Sequence, residues 1–196
     1  MRDPCRNVGV SVVTEPAIEP LTLQDVRQHL RIDDNEQDAK LYGLIQDARE
    51  NAESMTGRAL ITQTIDVTYD RWCSTLVVPR GQLQSITSVK YQDHDDAEQT
   101  LDTAVYRVDS ARDPGRIELD YGQDWPDIYP SSSTITIRAV VGYGSVAGAV
   151  PREIKRAMLM MIGHWLENEE ATIPGISLQE VPFGAVLLLD QNKLRY

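Results

Sequence analysis

Chemistry near neutral pH would most readily run through a histidine, and this chain of 196 residues has three: His29, His94 and His164. His164 stands three residues before Glu167, a spacing that carboxylate-bridged metal bundles place on one helix face. Such a site draws further Glu and His ligands from facing helices. The helix expected opposite offers Leu41, Leu44, Ile45 and Ala48 instead, so His164 reads as a rim histidine. Asp93, His94, Asp95 and Asp96 form a second cluster, but tight turns select these residue types because their side chains bond their own backbone. They are read as a solvated hairpin tip. Asp33, Asp34, Asn35 and Glu36 lack the glycine and closing glutamate of a calcium loop and suit the positive end of a helix. Gly142, Tyr143 and Gly144 lack the strand-to-helix glycine spacing of a phosphate loop. Cys5 and Cys73 are far apart, outside any C-x-x-C pair, and are expected as free thiols. No catalytic residue, cofactor site or metal site is therefore expected. Among 30 acidic residues chance carboxylate pairs are inevitable, which leaves a carboxylate-dependent enzyme only as an alternative.

Composition narrows the partners. The formal charge is −11, with 19 basic residues, which disfavours wrapping a phosphate backbone while leaving room for a protein that DNA merely passes. A hydrophobic content of 41% with 25% charged residues is that of a globular protein with one sizeable core. No apolar run approaches the roughly 20 residues of a membrane helix, so no membrane partner is expected. Met1 to Asn7 has no apolar segment of signal-peptide length, so secretion by that route is not supported and the cytoplasm is the expected compartment.

The elements that must position these residues follow from periodicity. The longest organising stretch is Pro151 to Glu167, where Ile154, Ala157, Met158, Met161, Ile162, Trp165 and Leu166 recur at helical spacing and Pro151 suits the start. Gly163 lies off that stripe, among Arg152, Arg156 and Glu167. It marks either a second packing surface or a tolerated glycine beside a single core face. Thr22 and Asp25 form a capping box for a helix from Leu23 to about Leu30. A longer helix from about Glu36 to Thr56 carries a stripe from Leu41 to Met55, ends at Gly57 and should pack on the Pro151 helix.

Between those helices the period becomes two. Strands are expected at Ile61 to Tyr69, Leu76 to Val78, Ile86 to Tyr91, Val105 to Val108, Arg116 to Leu119 and Thr134 to Val141. Turn residues predict hairpins over about Ile86 to Leu101 and Val105 to Leu119. The fold class is α+β: a small helical bundle with an antiparallel β-sheet or small β-sandwich inserted between the second and third main helices. The expected organisation is an extended arm at 1–20, a helical body at 21–57 and 150–167, a β-rich insertion at 58–149, and a loop with a C-terminal segment at 168–196. The arm either adds a strand to a neighbour or lies free. Val186 to Leu189 is apolar on every side, as suits a docking tail or a last helix closing the chain's own core.

A series of short words in fixed order then resembles a known family. They run from Leu21-Thr22-Leu23 with Arg31-Ile32-Asp33, through Thr56-Gly57-Arg58-Ala59-Leu60-Ile61-Thr62-Gln63-Thr64, Tyr106-Arg107-Val108-Asp109, Pro114-Gly115-Arg116-Ile117 and Trp125-Pro126, to Val141-Gly142-Tyr143-Gly144, Val150-Pro151, Gly163-His164-Trp165 and Val181-Pro182-Phe183-Gly184. The sequence resembles the head-tail connector, or adaptor, proteins of long-tailed bacteriophages and gene transfer agents over roughly Leu21 to Leu189. The resemblance implies a homo-oligomeric, dodecameric ring beneath the portal protein, in contact with a head-closure (stopper) or tail protein, through which DNA passes without sequence-specific binding. Its place would be the head-tail interface of a virion or transfer particle made in the bacterial host cytoplasm. Phe183, Val186, Leu187, Leu188, Leu189, Leu194, Arg195 and Tyr196 are the candidate portal-docking residues. Arg152, Arg156, Gly163 and Glu167 are the candidate subunit contacts. Two other readings stay open: a head-closure or tail-terminator ring, and a small ligand-binding β module with Tyr121, Trp125 and Tyr129 as an aromatic platform.

Overall fold

Ile65, Val67 and Tyr69 alternate with Thr64, Asp66 and Thr68, and a period of two sends the two sets to opposite faces of a strand. The computed structural model describes residues 9–129, 134–168 and 181–195 and divides the chain into a β unit and a helical unit. The β unit holds the described residues of 9–17, 62–143 and 194–195. Its strands are β1 (Gly9–Thr14), β2 (Gln63–Tyr69), β3 (Thr75–Val78), β4 (Leu83–Gln92), β5 (Glu98–Thr100), β6 (Tyr106–Asp109), β7 (Gly115–Leu119) and β8 (Ile135–Val141).

They form a five-stranded sheet in the order β1-β2-β8-β4-β5 and a three-stranded sheet in the order β3-β7-β6. Every pair is antiparallel. On the inner face, Ile65 pairs with Ala139, Val67 with Ile137 and Tyr69 with Ile135, all buried. On the opposite face Asp66 pairs with Arg138, whose guanidinium donates to both carboxylate oxygens at 2.8 Å. Leu76 and Ile117 are the matching buried pair of the smaller sheet. The two sheets meet where Tyr69 Oη donates to the Val77 carbonyl and where Gly115 lies against Leu83, so close that a Cβ on Gly115 would stand 2.4 Å from the Leu83 Cβ.

Both expected hairpins are present, as β4–β5 and β6–β7. The N-terminal arm differs from either expectation: its strand β1 joins the edge of the chain's own sheet, from Gly9 opposite Thr68 to Thr14 opposite Thr64. Cys73 also departs from expectation, since it is held in a disulfide and carries no free thiol. Cys5, the start of the arm and the acidic loop with Glu169, Glu170, Pro174 and Gly175 lie outside the described residues.

The helical unit, Ile18–Ile61 and Gly144–Lys193, is built from α1 (Leu23–Leu30), α2 (Asp38–Thr56), α3 (Arg152–Glu167) and α4 (Phe183–Gln191). Thr22 caps α1: its hydroxyl accepts from the Asp25 amide at 3.1 Å, and the Asp25 carboxylate accepts from the Thr22 amide at 2.9 Å. Gly57, at φ 70°, ends α2 in the left-handed conformation that glycine tolerates best. Asp38 opens α2 and takes the Arg27 Nε–H of α1 at 2.9 Å, which places an anion at the positive end of the helix. Leu41, Ile45, Ala48 and Ala52 of α2 are buried, as are Ile154, Ala157, Met158, Met161 and Ile162 of α3, and the two helices pack together with α4.

One buried cluster carries charge. Arg49 of α2 donates to Glu19 at 3.0 Å and to Glu53 at 3.4 Å, and Glu53 accepts the Leu60 amide at 2.8 Å. These bonds tie the segment before α1, the middle of α2 and the turn after it to one guanidinium.

Candidate assembly surfaces of the helical unit

α4 is apolar on nearly every side, a pattern that a solvated helix does not sustain. Ala185 and Leu189 account for one side of it: both are buried where α4 packs on α3. The packing is close, since a Cβ on Gly184 would stand 2.7 Å from the Met160 Cε. Arg58 donates its Nε–H to the Asn192 carbonyl at 2.5 Å, so a cation meets the negative end of α4. The helix therefore closes the core of its own unit, and yet Phe183 remains 65% exposed and Leu187 50% exposed. One turn apart, these two form an apolar pair on the side away from α3.

The candidate docking residues thus separate. Phe183 and Leu187 face outward, Val186 and Leu188 are half-buried, Leu189 and Leu194 are buried, and Arg195 is exposed. Tyr196 lies outside the described residues.

On α3, Arg152, Arg156 and Glu167 are exposed. Gly163 is the point of approach for a neighbouring element of the same unit: a Cβ there would stand 3.3 Å from the Leu30 Cδ2 of α1. Of the two readings left open for Gly163, a second packing surface or a tolerated glycine, the close approach of Leu30 supports the first, with α1 as the neighbour at this position.

Of the groups singled out in the sequence, Asp93 and Trp125 make structural contacts, whereas His29 and His94 are exposed. His29, His164 and Glu167 share the rim of a groove of about 410 Å³ with Leu30, Met160 and Pro182. Asn168 Nδ2 lies 3.3 Å from His164 Nδ1, and no set of three or more His, Cys, Asp or Glu that could hold a metal occurs among the described residues. Asp93 sits below the usual carboxylate range because its carboxylate accepts from the Gln99 amide and from the backbone N–H groups of Ala97 and Asp95. It shapes the β4–β5 turn. Trp125 does not join Tyr121 and Tyr129 in a platform. It stacks on Trp72 with ring centroids 4.5 Å apart and donates its indole N–H to the Cys73 carbonyl at 2.9 Å, while Tyr121 is 97% exposed. The Trp72 partner lies 53 positions away in the chain, and no local pattern announces it.

No helix among the described residues is long and apolar enough to cross a membrane. The described residues form an α+β subunit with an outward apolar pair on α4 and exposed charged residues on α3. The chain is a member of the head completion protein family, which it matches over residues 19–178. Membership makes it a structural virion protein rather than an enzyme, in line with the resemblance to head-tail connectors read from the sequence.

Solved structures share the fold. A chain of the neck of an empty gene transfer agent particle, computed with C6 symmetry, is 24% identical at a TM-score of 0.75, with 96% of this chain and 97% of that one covered. A chain of the virion of a native gene transfer agent particle is 22% identical at 0.75, covering 95% and 96%. A third, from the neck of a native particle computed with C12 symmetry, is 23% identical at 0.72, covering 96% and 97%. No curated protein matches the chain.

Proposed function

We propose that this chain is the head-tail connector subunit of a bacteriophage or gene transfer agent. It assembles as a dodecameric ring beneath the portal, at the head-tail interface of the particle, and joins the DNA-filled head to a stopper or tail protein. The observation that carries this reading is the likeness, over nearly the full length of both chains, to proteins of gene transfer agent necks, one of them computed with C12 symmetry. Membership of the head completion family supports it. The acidic balance supports a ring that DNA traverses without adhering, because a net charge of −11 repels a phosphate backbone.

The outward pair on α4 is the portal contact in this reading. Phe183 and Leu187 seat in an apolar groove of the portal, and the half-buried Val186 and Leu188 flank them. Removing all of 183–196 would be a poor test, because Ala185 and Leu189 belong to the unit's own core. The test is Phe183→Ser with Leu187→Ser, introduced into cells that lack the native gene. The variant chain should stay folded, while filled heads accumulate without tails and the chain no longer sediments with them. Wild-type yields of tailed particles would overturn the assignment of α4 to the portal.

A further inference from the structure

The helical unit carries a second open groove, of about 530 Å³, between α2 and α3. Leu44 and Trp165 supply its apolar walls, and Asp47, Glu50, Asn51 and Ser54 its polar ones. Asp47 and Glu50 are both exposed and lie three residues apart on α2, so their carboxylates stand side by side along one edge. An indole face beside two carboxylates is a setting for a guanidinium, which stacks on the ring while its N–H fork meets the acids.

The chain offers such a group in duplicate. Arg152 and Arg156 are exposed, one turn apart on α3, and neither guanidinium has an ion pair or hydrogen bond with a described residue. They cannot fill the groove of their own chain: at about 1.5 Å per residue, Trp165 lies roughly 14 and 20 Å further along the same helix. At about 100° per residue, Arg156 points roughly 180° and Arg152 roughly 140° away from Trp165 around the α3 axis. A pair of cations and a groove with a pair of anions thus sit on opposite sides of one helix. Self-association through two different, oppositely directed faces is heterologous, and it closes into a ring when the rotation per subunit divides a full turn.

We infer that Arg152 and Arg156 of one subunit dock into the groove formed by Trp165, Asp47 and Glu50 of a second copy, and that this contact repeats around the ring. The inference rests on the ring reading proposed above and names the two faces that make it.

Charge exchange tests it in the full-length chain, with copies bound per portal-bearing head counted after incubation with heads that lack this protein. Asp47→Lys with Glu50→Lys, or Arg152→Glu with Arg156→Glu, places like charges opposite one another and should weaken self-association by roughly a hundredfold. Heads would then retain few copies. The fourfold variant carrying all of these changes restores opposite charges and should regain ring occupancy. Both double variants filling heads like wild type would overturn this contact while leaving the ring intact. Loss in the double variants with no recovery in the fourfold one would overturn it as well, assigning the charges to another protein. A wild-type chain that binds heads without forming a ring would overturn the ring reading, and this contact with it.

Discussion

Replacing Arg49 with Met removes a buried cation that pairs with both Glu19 and Glu53 in the helical unit. The magnitude follows from burial: the Arg49, Glu19 and Glu53 side chains keep only 8%, 12% and 8% of their surface exposed. Breaking a buried pair by deleting one partner typically costs about 3–5 kcal/mol, because the charge left behind has lost both water and its counter-ion. The lower end applies here, since Glu53 keeps the Leu60 amide and Glu19 retains some contact with solvent. A loss of about 3 kcal/mol in a chain of this size lowers Tm by roughly 6–12 °C. Urea denaturation followed by helical circular dichroism measures it. Glu50→Gln serves as the control: that carboxylate is 69% exposed and 3.5 Å from Arg49, so its loss should stay within about 0.5 kcal/mol. An Arg49→Met variant as stable as this control would refute the claim that the guanidinium organises the unit.

Asp25→Ala should cost about 1 kcal/mol at neutral pH by opening the α1 capping box. Bonds from the Thr22 backbone and hydroxyl, opposed in part by burial and aided by Lys155, hold the Asp25 carboxyl below its ordinary 3.8, so its stabilisation is present above that pH and is lost as the pH falls through the depressed folded value. Urea midpoints of wild type and variant should therefore converge on acidification, and a gap that persists at low pH would assign the loss to something other than the cap. Gly115→Ala forces a Cβ to within 2.4 Å of Leu83 where the two sheets meet, and should destabilise the β unit by about 1–3 kcal/mol in a thermal melt, whereas an unchanged melt would mean that the sheets separate without strain.

The sequence made the helices legible because their signals are local. Thr22 with Asp25 marks the start of α1, Gly57 marks the end of α2, and the core stripe of α3 is visible from Ile154 to Ile162. The hairpins were legible for the same reason, from turn residues between alternating runs. Contacts between distant segments were not. Nothing around Arg49 announces Glu19, which lies 30 residues earlier, and nothing around Trp125 announces Trp72. Helical spacing places Trp165 on the core stripe, but its side chain is only half-buried and lines a groove beside α2. The apolar run of α4 was equally visible; its division into Ala185 and Leu189 inside with Phe183 and Leu187 outside needed the position of α3.

Neither unit is a continuous piece of chain. β1 belongs to the β unit, α1 and α2 to the helical unit, β2 through β8 to the β unit again, and α3 and α4 to the helical one. On the ribosome, β1 must wait for β2, some 50 residues later, and the helical unit stays incomplete until α4 has emerged. The apolar surfaces of α1 and α2 therefore spend most of translation without α3 to cover them. The same threading means that a single proteolytic nick, wherever it falls between β1 and α4, releases no intact unit: both fragments keep part of a core whose remainder is on the other, and they stay together as long as those cores hold.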